Sequence, residues 1–286
     1  MDINLNNITF IIVTFKSEKI INDCLQTLPK ESHKIVIENS KNINLKNEIE
    51  SKYDNIEVII SENNGMGTGN NIGLKKCKTQ YAFILNPDTK LHESTIINVI
   101  ESAKLISDFA ILSPLNSDLK YPNYKISNNY QNINDNIISV DYLDGFSMLI
   151  NLEKYKNINF FDENIFLFLE NDDLCKRTKK NKENIYIIKK SLIDHLGFAS
   201  SAQSSSQQME YLRNWHWMWS KFYYNKKHYG FVFALIKILP NFFSAITKIL
   251  IYFFLLNSCR RKIYQSRVSG IFNSIIGKNS WFRIDN

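Results

Sequence analysis

The chain predicts an α/β protein, a Rossmann-like doubly wound sheet, followed by a helical tail that is basic and aromatic. Three observations predict it. Apolar, strand-like runs alternate with amphipathic helical patterns up to about Ala110, the order that yields a parallel sheet covered by helices on both faces. The apolar run Tyr81-Ala82-Phe83-Ile84 then leads directly into Leu85-Asn86-Pro87-Asp88-Thr89, a tight turn at the carboxyl end of a buried strand. Finally, residues 1–202 carry 23 Lys and Arg against 26 Asp and Glu, whereas residues 203–286 carry 12 against 2 and hold all four tryptophans, Trp215, Trp217, Trp219 and Trp281.

Taken in order, Ile8 to Phe15 reads as a continuous β-branched and aromatic strand of the fully buried kind. Ser17 is placed to cap a helix whose apolar positions Ile20, Ile21, Cys24, Leu25 and Leu28 fall on one face, with Pro29 as its stop. Lys34 to Glu38 and Glu57 to Ser61 are two further strands. Thr68 to Lys78 is a second helix, Tyr81 to Leu85 a fourth strand and Ser94 to Ile106 a third helix. Crossovers between parallel strands are expected to be right-handed. From Ala110 the pattern shifts to shorter strands, Ile137–Tyr142, Phe146–Ile150 and Ile185–Ile188, separated by Asn-rich loops. The stretch from Asn116 to Asn136 reads as a polar loop, and Ser200 to Gln208 as a low-complexity hinge.

A chain of 286 residues with 44% hydrophobic and 22% charged residues is an ordinary globular protein, long enough for a substantial core. Its four cysteines, Cys24, Cys77, Cys175 and Cys259, are far apart. Cys24 and Cys77 fall on apolar helix faces, which points to free thiols in a reducing compartment rather than to disulfides or zinc. Met1-Asp2-Ile3-Asn4 lacks the basic start of a signal peptide, so a cytoplasmic location is expected.

Four segments carry chemistry. A lone Asp88 at the carboxyl edge of an open α/β sheet can hold a divalent metal, which in turn can hold a nucleotide diphosphate; a plain turn accounts for Asn-Pro-Asp equally well. Glu62-Asn63-Asn64-Gly65-Met66-Gly67-Thr68-Gly69-Asn70-Asn71-Ile72-Gly73 follows the third strand and opens a helix. Glycines there permit close backbone approach to a ligand, and the helix amino terminus favours an anion, yet the spacing does not fit the dinucleotide fingerprint and a Gly-rich turn is the plain alternative. Phe166-Leu167-Phe168-Leu169 reads as an apolar strand running into the acidic helix start Glu170-Asn171-Asp172-Asp173. Acids in a first helical turn are common for dipole reasons, but deprotonating an alcohol also requires a positioned carboxylate. Ser191-Leu192-Ile193-Asp194-His195 is a short strand ending in a histidine, which gains meaning only if the fold brings it near Asp88.

In this order the segments resemble the family-2 glycosyltransferases, in particular the rhamnosyltransferase-like branch of bacterial surface polysaccharide synthesis. The matching elements are Ile11 to Phe15, Ile37-Glu38-Asn39-Ser40, Asn64 to Gly67 with Asn70 to Gly73, Leu85 to Asp88, Asp144-Gly145-Phe146, Phe161-Asp162-Glu163, Glu170 to Arg177, and His195 with Gly197 and Ser200. The resemblance spans roughly residues 8 to 225. It implies a GT-A fold, a nucleotide-sugar donor (a dTDP- or UDP-sugar) and inversion at the anomeric carbon in one displacement. It also implies a Mn²⁺ or Mg²⁺ ion held by Asp88, with Asn86 at the other position of the metal motif and His195 completing the sphere. Thr14, Phe15, Glu38 and Asn70 match positions around the nucleoside, and Asn64 and Gly65 lie in the adjoining loop. The position that supplies the family's catalytic base is Asn171, which accepts no proton usefully. The role moves to Glu170, with Asp173 and Asp172 as alternatives.

The expected organisation is a catalytic domain over 1–202, with a nucleotide-sugar half to about 115 and an acceptor half over about 116–202, and a tail over 203–286. Tyr229 to Leu256 is apolar but broken by Lys237, Pro240-Asn241 and Lys248. Its longest clean run, Ile249 to Leu256, is far short of the roughly 20 residues that span a bilayer. Two amphipathic segments in the membrane interface are expected, with Arg260-Arg261-Lys262 meeting anionic lipid at the inner face of the cytoplasmic membrane; packing on the body or a homodimer interface is the alternative. A saccharide or lipid-linked saccharide is the expected acceptor. Nucleic acid is not an expected partner, because the basic residues interleave with long apolar runs. The rival functions are a nucleotidyltransferase, whose Gly-rich phosphate loop is not found in Phe15-Lys16-Ser17-Glu18, and a non-catalytic partner subunit that keeps the fold.

Overall fold

The computed structural model describes residues 3–106, 108–126, 132–197 and 206–283. The chain forms two compact units, Met1–Asp162 with Asn171–Ala202, and Glu163–Glu170 with Gln203–Asn286.

In the first unit the chain runs β1 (Ile8–Thr14), α1 (Ile21–Gln26), β2 (His33–Glu38), α2 (Ile43–Lys52), β3 (Ile56–Ile60), α3 (Met66–Lys76), β4 (Tyr81–Leu85), β5 (Thr89–Leu91) and α4 (Thr95–Ile106). It continues through β6 (Ile111–Asn116), β7 (Tyr124–Lys125), β8 (Asn132–Asn134), β9 (Ile137–Ser139), β10 (Tyr142–Leu143) and β11 (Ser147–Asn151) to α5 (Glu170–Lys180) and β12 (Ile185–His195). The main sheet has the order β3-β2-β1-β4-β11-β6-β12-β9-β8, with β5 paired to β12, while β7 and β10 form a separate ribbon. Strands β1 to β4 are mutually parallel, as the alternating pattern predicts, and β6 is parallel to β12. The remaining pairings, β4–β11, β11–β6, β12–β9, β9–β8 and β12–β5, are antiparallel, so the sheet is mixed.

Both faces of this sheet are buried, which is why its strands read as unbroken apolar runs. Phe10, Ile12, Tyr81, Phe83 and Leu149 point into one core, and Ile11, Ala82, Ile84, Met148 and Ile150 into the other. Phe10 and Phe83 stack across β1 and β4 with centroids 5.5 Å apart. Gly69 and Gly73, one turn apart on α3, let that helix lie directly on β1. A Cβ at Gly73 would stand 2.4 Å from Ile11 Cγ2, and one at Gly69 2.7 Å from Val13 Cγ1. The Gly-rich segment is therefore largely a helix–sheet packing device.

Several expectations are corrected. The first helix is shorter than predicted: it begins at Ile21 after a turn in which Ile20 N and Ile21 N donate to Ser17 O at 3.0 Å. Helix α2 is an additional element: Asn42 caps it through Leu45 N (3.0 Å), and Leu45 and Ile49 give its buried face. Strand β6 is also additional; Pro114 argues against a central strand. It is accommodated because β11 pairs only with Ile111 and Leu112. The runs Ile185–Ile188 and Ser191–His195 are one strand, interrupted by a register shift between Ile188 and Leu192. Phe166 to Leu169 is not a strand. Phe168 and Leu169 have φ of 67° and 68°, a left-handed backbone that bulky residues rarely adopt and no strand contains. Of the predicted Asn116–Asn136 loop, residues 127–131 lie outside the described residues; so do Ser200 and the hinge up to residue 205.

The second unit is helical, with α6 (Gln207–Tyr229), α7 (Phe231–Phe254) and α8 (Ser258–Ile275). Met218, Phe222, Ala234, Ile238 and Ile271 bring one face of each together. Helix α7 is continuous through Pro240, where separate segments were expected, and is long and apolar enough to cross a membrane by length and composition. The Glu163–Glu170 segment belongs here: Ser220 Oγ donates to Leu167 O (2.8 Å), Ser280 Oγ to Asn164 O (2.7 Å), and Phe166 packs 4.6 Å from His216.

Candidate active site

Parallel pairing puts the carboxyl ends of β1, β2 and β4 on one edge of the sheet, the edge at which open α/β folds bind ligands. Thr14 is level with Glu38, and Ile12 with Leu85, the last residue of β4 before the Asn-Pro-Asp turn. Thr14 is fully buried and its Oγ1 donates to Ile37 O at 3.4 Å; Phe15 is half-buried beyond it. Glu38 is fully buried and its carboxylate accepts from Ser40 N (3.0 and 3.1 Å), Asn42 N (2.6 Å) and Ser40 Oγ. Those bonds engage both oxygens, so Glu38 fixes the loop after β2.

Across from it, Gly65 takes φ 106° at the start of α3, a conformation open to glycine, and Asn64 O accepts from Thr68 Oγ1 at 3.1 Å. Asn71 binds the Phe161 peptide with both ends of its amide: Nδ2 donates to Phe161 O (2.9 Å) and Oδ1 accepts from Phe161 N (3.0 Å). It is thereby withdrawn from ligand contact. Asn70 and Asn39 differ, since each is buried with an Oδ1 that has no hydrogen-bond partner. Asn39 was quoted in the sequence motif without a role.

The turn after β4 is tightly held. Asn86 N donates to Phe146 O (2.9 Å), and Asn86 O accepts from Thr89 N (3.2 Å) and Thr89 Oγ1 (2.8 Å). The Cys24 thiol lies 3.7 Å from the same carbonyl, and burial pushes it up to about 12, so it stays protonated. Asp88 is 2% exposed, and neither carboxylate oxygen has a hydrogen bond. The antiparallel register of β5 and β12 sets His195 opposite Thr89, and His195 Nε2 lies 3.5 Å from Asp88 Oδ1. The imidazole stacks on Phe146 with centroids 4.1 Å apart and planes 16° from parallel. A buried carboxylate without donors is costly unless a cation meets it. The carboxylate suits Mg²⁺ or Mn²⁺, and the imidazole favours the transition metal Mn²⁺ of the two. Among the described residues no group of three or more His, Cys, Asp or Glu converges on such a site, so a cation here would depend on further oxygen ligands.

Two residues before Phe146, Asp144 begins a second polar cluster. Tyr142 OH donates to Asp144 Oδ1 (2.5 Å), and Asn171 Nδ2 donates to Tyr142 OH (3.0 Å) and to Leu143 O (2.9 Å). A Cβ at Gly145 would lie 3.3 Å from Asn171 Cβ, so the glycine makes room for this amide. Asn171 is thus committed to holding the Tyr142–Gly145 strip. Burial pushes the Asp172 carboxyl up to about 6, opposed by Lys125 and assisted by Asp144. Burial, Asp172 and Asp144 together raise the Tyr142 phenol, and Lys125 Nζ stands 4.2 Å from the centre of its ring. Asp173 is fully buried and paired with Arg177 Nε at 2.8 Å; the same guanidinium donates to Asn159 O and Phe160 O. Glu170 opens α5 directly after the two left-handed residues. Asp144, Tyr142, Phe146 and Lys125 had no assigned role in the sequence reading; Asp144-Gly145-Phe146 was the signal that could have found them.

Comparison with solved structures places this fold. The chain aligns with the crystal structure of GalNAc-T7 with UDP, GalNAc and Mn²⁺ at a TM-score of 0.56 and 13% identity, over 68% of this chain and 44% of that one. It aligns with S. aureus TarS 1-349 at a TM-score of 0.55 and 13% identity, over 98% of this chain and 94% of that one. The fold is that of the GT-A glycosyltransferases. A sequence profile described as glycosyl transferase family 2 matches residues 9–173. The chain belongs to that family. Among curated proteins it is 24% identical over 200 residues to the low-salt glycan biosynthesis hexosyltransferase Agl10 of Haloferax volcanii, covering 63% of this chain. It is 28% identical over 198 residues to the rhamnosyltransferase WbbL of Escherichia coli, covering 58% of this chain and 75% of WbbL. The chain spans 64% of the length of Agl10.

Proposed function

We propose that the chain is an inverting glycosyltransferase that moves a hexosyl or deoxyhexosyl unit from a dTDP- or UDP-sugar to a saccharide acceptor, lipid-linked, in surface polysaccharide or O-antigen synthesis at the inner face of the cytoplasmic membrane. The observation that carries this reading is Asp88, a buried carboxylate without donors at the carboxyl edge of the sheet, with His195 beside it. The names of Agl10 and WbbL support the reaction class, and the UDP and Mn²⁺ of the GalNAc-T7 structure support the donor and the ion.

Asp88 and His195 would hold the cation, with Asn86 at the turn beside them. Bound Mg²⁺ or Mn²⁺ supplies positive charge against the diphosphate leaving group. Thr14, Phe15, Asn64, Gly65 and Asn70 form the nucleotide side, where the Oδ1 atoms of Asn39 and Asn70 are free to accept from the base or ribose. Glu38 acts indirectly by fixing the loop that carries Asn39. In the displacement the acceptor oxygen bonds to the anomeric carbon, the bond from that carbon to phosphate oxygen breaks, and the acceptor proton passes to a carboxylate. Asp172 is the carboxylate whose surroundings favour taking a proton, because a base with pKa near the working pH combines ionisation with basicity. Glu170 is the alternative, and Asp173 holds Arg177.

A thermal-shift panel of UDP, dTDP and their sugars, with and without Mn²⁺, tests the reading. Metal-dependent stabilisation by one nucleotide class is expected, followed by nucleoside diphosphate release from the matching sugar donor. No stabilisation by any nucleotide would overturn it.

A further inference from the structure

Helix α7 presents two opposite faces, and only one is covered within its own unit. Ala234, Ile238 and Ala245 are buried toward α6 and α8. At about 100° per residue, the opposite side carries Val232, Ile236, Leu239, Phe243, Ile246 and Leu250. These recur at alternating steps of four and three and are 37–70% exposed. The stripe runs to the α7–α8 turn, where Phe254 and Leu256 are 79% and 90% exposed. Such a continuous apolar strip is far beyond the scattered exposed hydrophobics of an ordinary surface.

Cations stand at its shoulders. Lys237 Nζ lies 5.5 Å from the centre of the Phe233 ring, and the guanidinium carbons of Arg260 and Arg261 lie 5.6 Å from the Tyr252 and Phe253 rings. This combination of apolar strip, aromatic shoulders and neighbouring guanidinium groups matches acyl chains, interface and phosphates in that order. A second copy of the chain fits poorly, because residues 203–286 hold 12 Lys and Arg against 2 Asp and Glu, and like charges would be brought together.

We propose that α7 lies lengthwise in the surface of an anionic lipid bilayer, stripe down, and does not cross it. This deepens the membrane placement proposed above and is independent of the transfer chemistry. The helix is 24 residues, about 36 Å, which would suffice for a crossing. Its covered face decides against one. Helices α6 and α8 pack along α7, and Lys221 donates to Asn241 Oδ1 midway along it while Lys248 and Arg267 lie over the Tyr264 ring of α8, so a crossing would draw these charges into hydrocarbon.

The full chain with sealed vesicles tests this. Co-flotation with phosphatidylglycerol-containing vesicles is expected, with at least a tenfold loss on pure phosphatidylcholine. Cys259 at the start of α8 is exposed, and Lys227→Cys adds a thiol before α7. A membrane-impermeant maleimide added outside should label both; protection of either one until detergent is added means a crossing helix and overturns the proposal. The triple variant Ile236→Glu, Phe243→Glu and Leu250→Glu should lose flotation while keeping its thermal midpoint and nucleotide stabilisation. Flotation by this folded variant, none by the parent chain, or a dimer in solution that the variant dissolves would equally overturn it. Loss of nucleotide stabilisation in the parent bears on the transferase reading alone.

Discussion

His195 Nε2 lies 3.5 Å from Asp88 Oδ1, although Asp88 sits in the turn between β4 and β5 and His195 ends the distant β12. Two local features produce the approach. Asn-Pro-Asp turns the chain from β4 into β5, with Asn86 O tying down Thr89. The β5–β12 register then sets His195 against Thr89, and Leu196 N donates to Asp88 O at 3.1 Å. The backbone of Asp88 is thus fixed on both sides while its carboxylate is left without a donor. A carboxylate buried without a donor is unfavourable, and a cation bound there would offset that cost.

Asp88→Asn should therefore abolish metal-dependent nucleotide binding and leave the thermal midpoint unchanged or higher, because it removes a buried carboxylate that forms no hydrogen bond. His195→Ala should weaken the same binding by about 10–100-fold and lower the midpoint through loss of the Phe146 stack. Titration calorimetry with UDP or dTDP, with and without Mn²⁺, measures both. Equal nucleotide affinity with and without metal in all three proteins would reject the assignment.

Gly73→Ala places a Cβ 2.4 Å from Ile11 Cγ2, in a core with no slack. Overpacking of this kind costs about 1–3 kcal/mol, against which the better helix propensity of Ala returns at most about 1 kcal/mol. A lowered thermal midpoint is expected, together with weaker nucleotide stabilisation, since α3 also carries Asn70. A midpoint equal to that of the parent would show that α3 can move off β1 at no cost.

The sheet was legible because its strands are buried on both faces and its helices carry one-sided apolar spacing; both signals are local. Asp88 was legible as a strand-end acid for the same reason. Its partnership with His195 was not, since it depends on an antiparallel register between distant segments, and only the order of motifs suggested it. Gly69 and Gly73 were read as room for a ligand, although their separation by four residues already marked one helix face. Phe166 to Leu169 looked like a strand because it is apolar. Its side chains instead pack within the helical unit, Phe166 against His216 and Phe168 edge-on to Trp217, on a backbone no strand allows. In α7, Pro240 and two lysines obscured a continuous helix whose apolar positions recur on both sides of them.

His216 makes the helical unit acid-sensitive. It is fully buried, its Nε2 lies 2.8 Å from Phe282 O, and burial, with Arg283 nearby, pulls it down to about 4. A folded-state value below the ordinary 6.5 means that the unfolded chain binds the proton first. Stability is full above pH 6.5 and is lost as the pH falls toward 4, by about 2 kcal/mol at pH 5. All four tryptophans lie in residues 203–286, so tryptophan fluorescence reports this unit. His216→Gln should flatten the pH dependence of its melting; an unchanged slope would acquit the histidine.

The proton acceptor can be separated from its neighbours by reading stability and turnover together. Asp172 has a folded-state value of about 6, raised chiefly by burial, against an ordinary 3.8. The folded protein therefore holds that proton more tightly, so this contribution to stability is present below pH 3.8 and lost as the pH rises through 6. At pH 7.5 the ionised carboxylate costs about 3 kcal/mol. Asp172→Asn removes that cost and, on the proposed assignment, the base with it. It should melt higher at pH 7.5, bind donor normally and turn over about 10²–10⁴-fold more slowly. The parent's rate should fall as the pH drops below about 6. Asp173→Asn should instead melt lower, because Arg177 loses its buried partner, and its activity should follow its folded fraction. Glu170→Gln should keep most of its turnover. If Glu170→Gln is dead and Asp172→Asn active, the base is Glu170; if both are active, no carboxylate of this helix takes the proton.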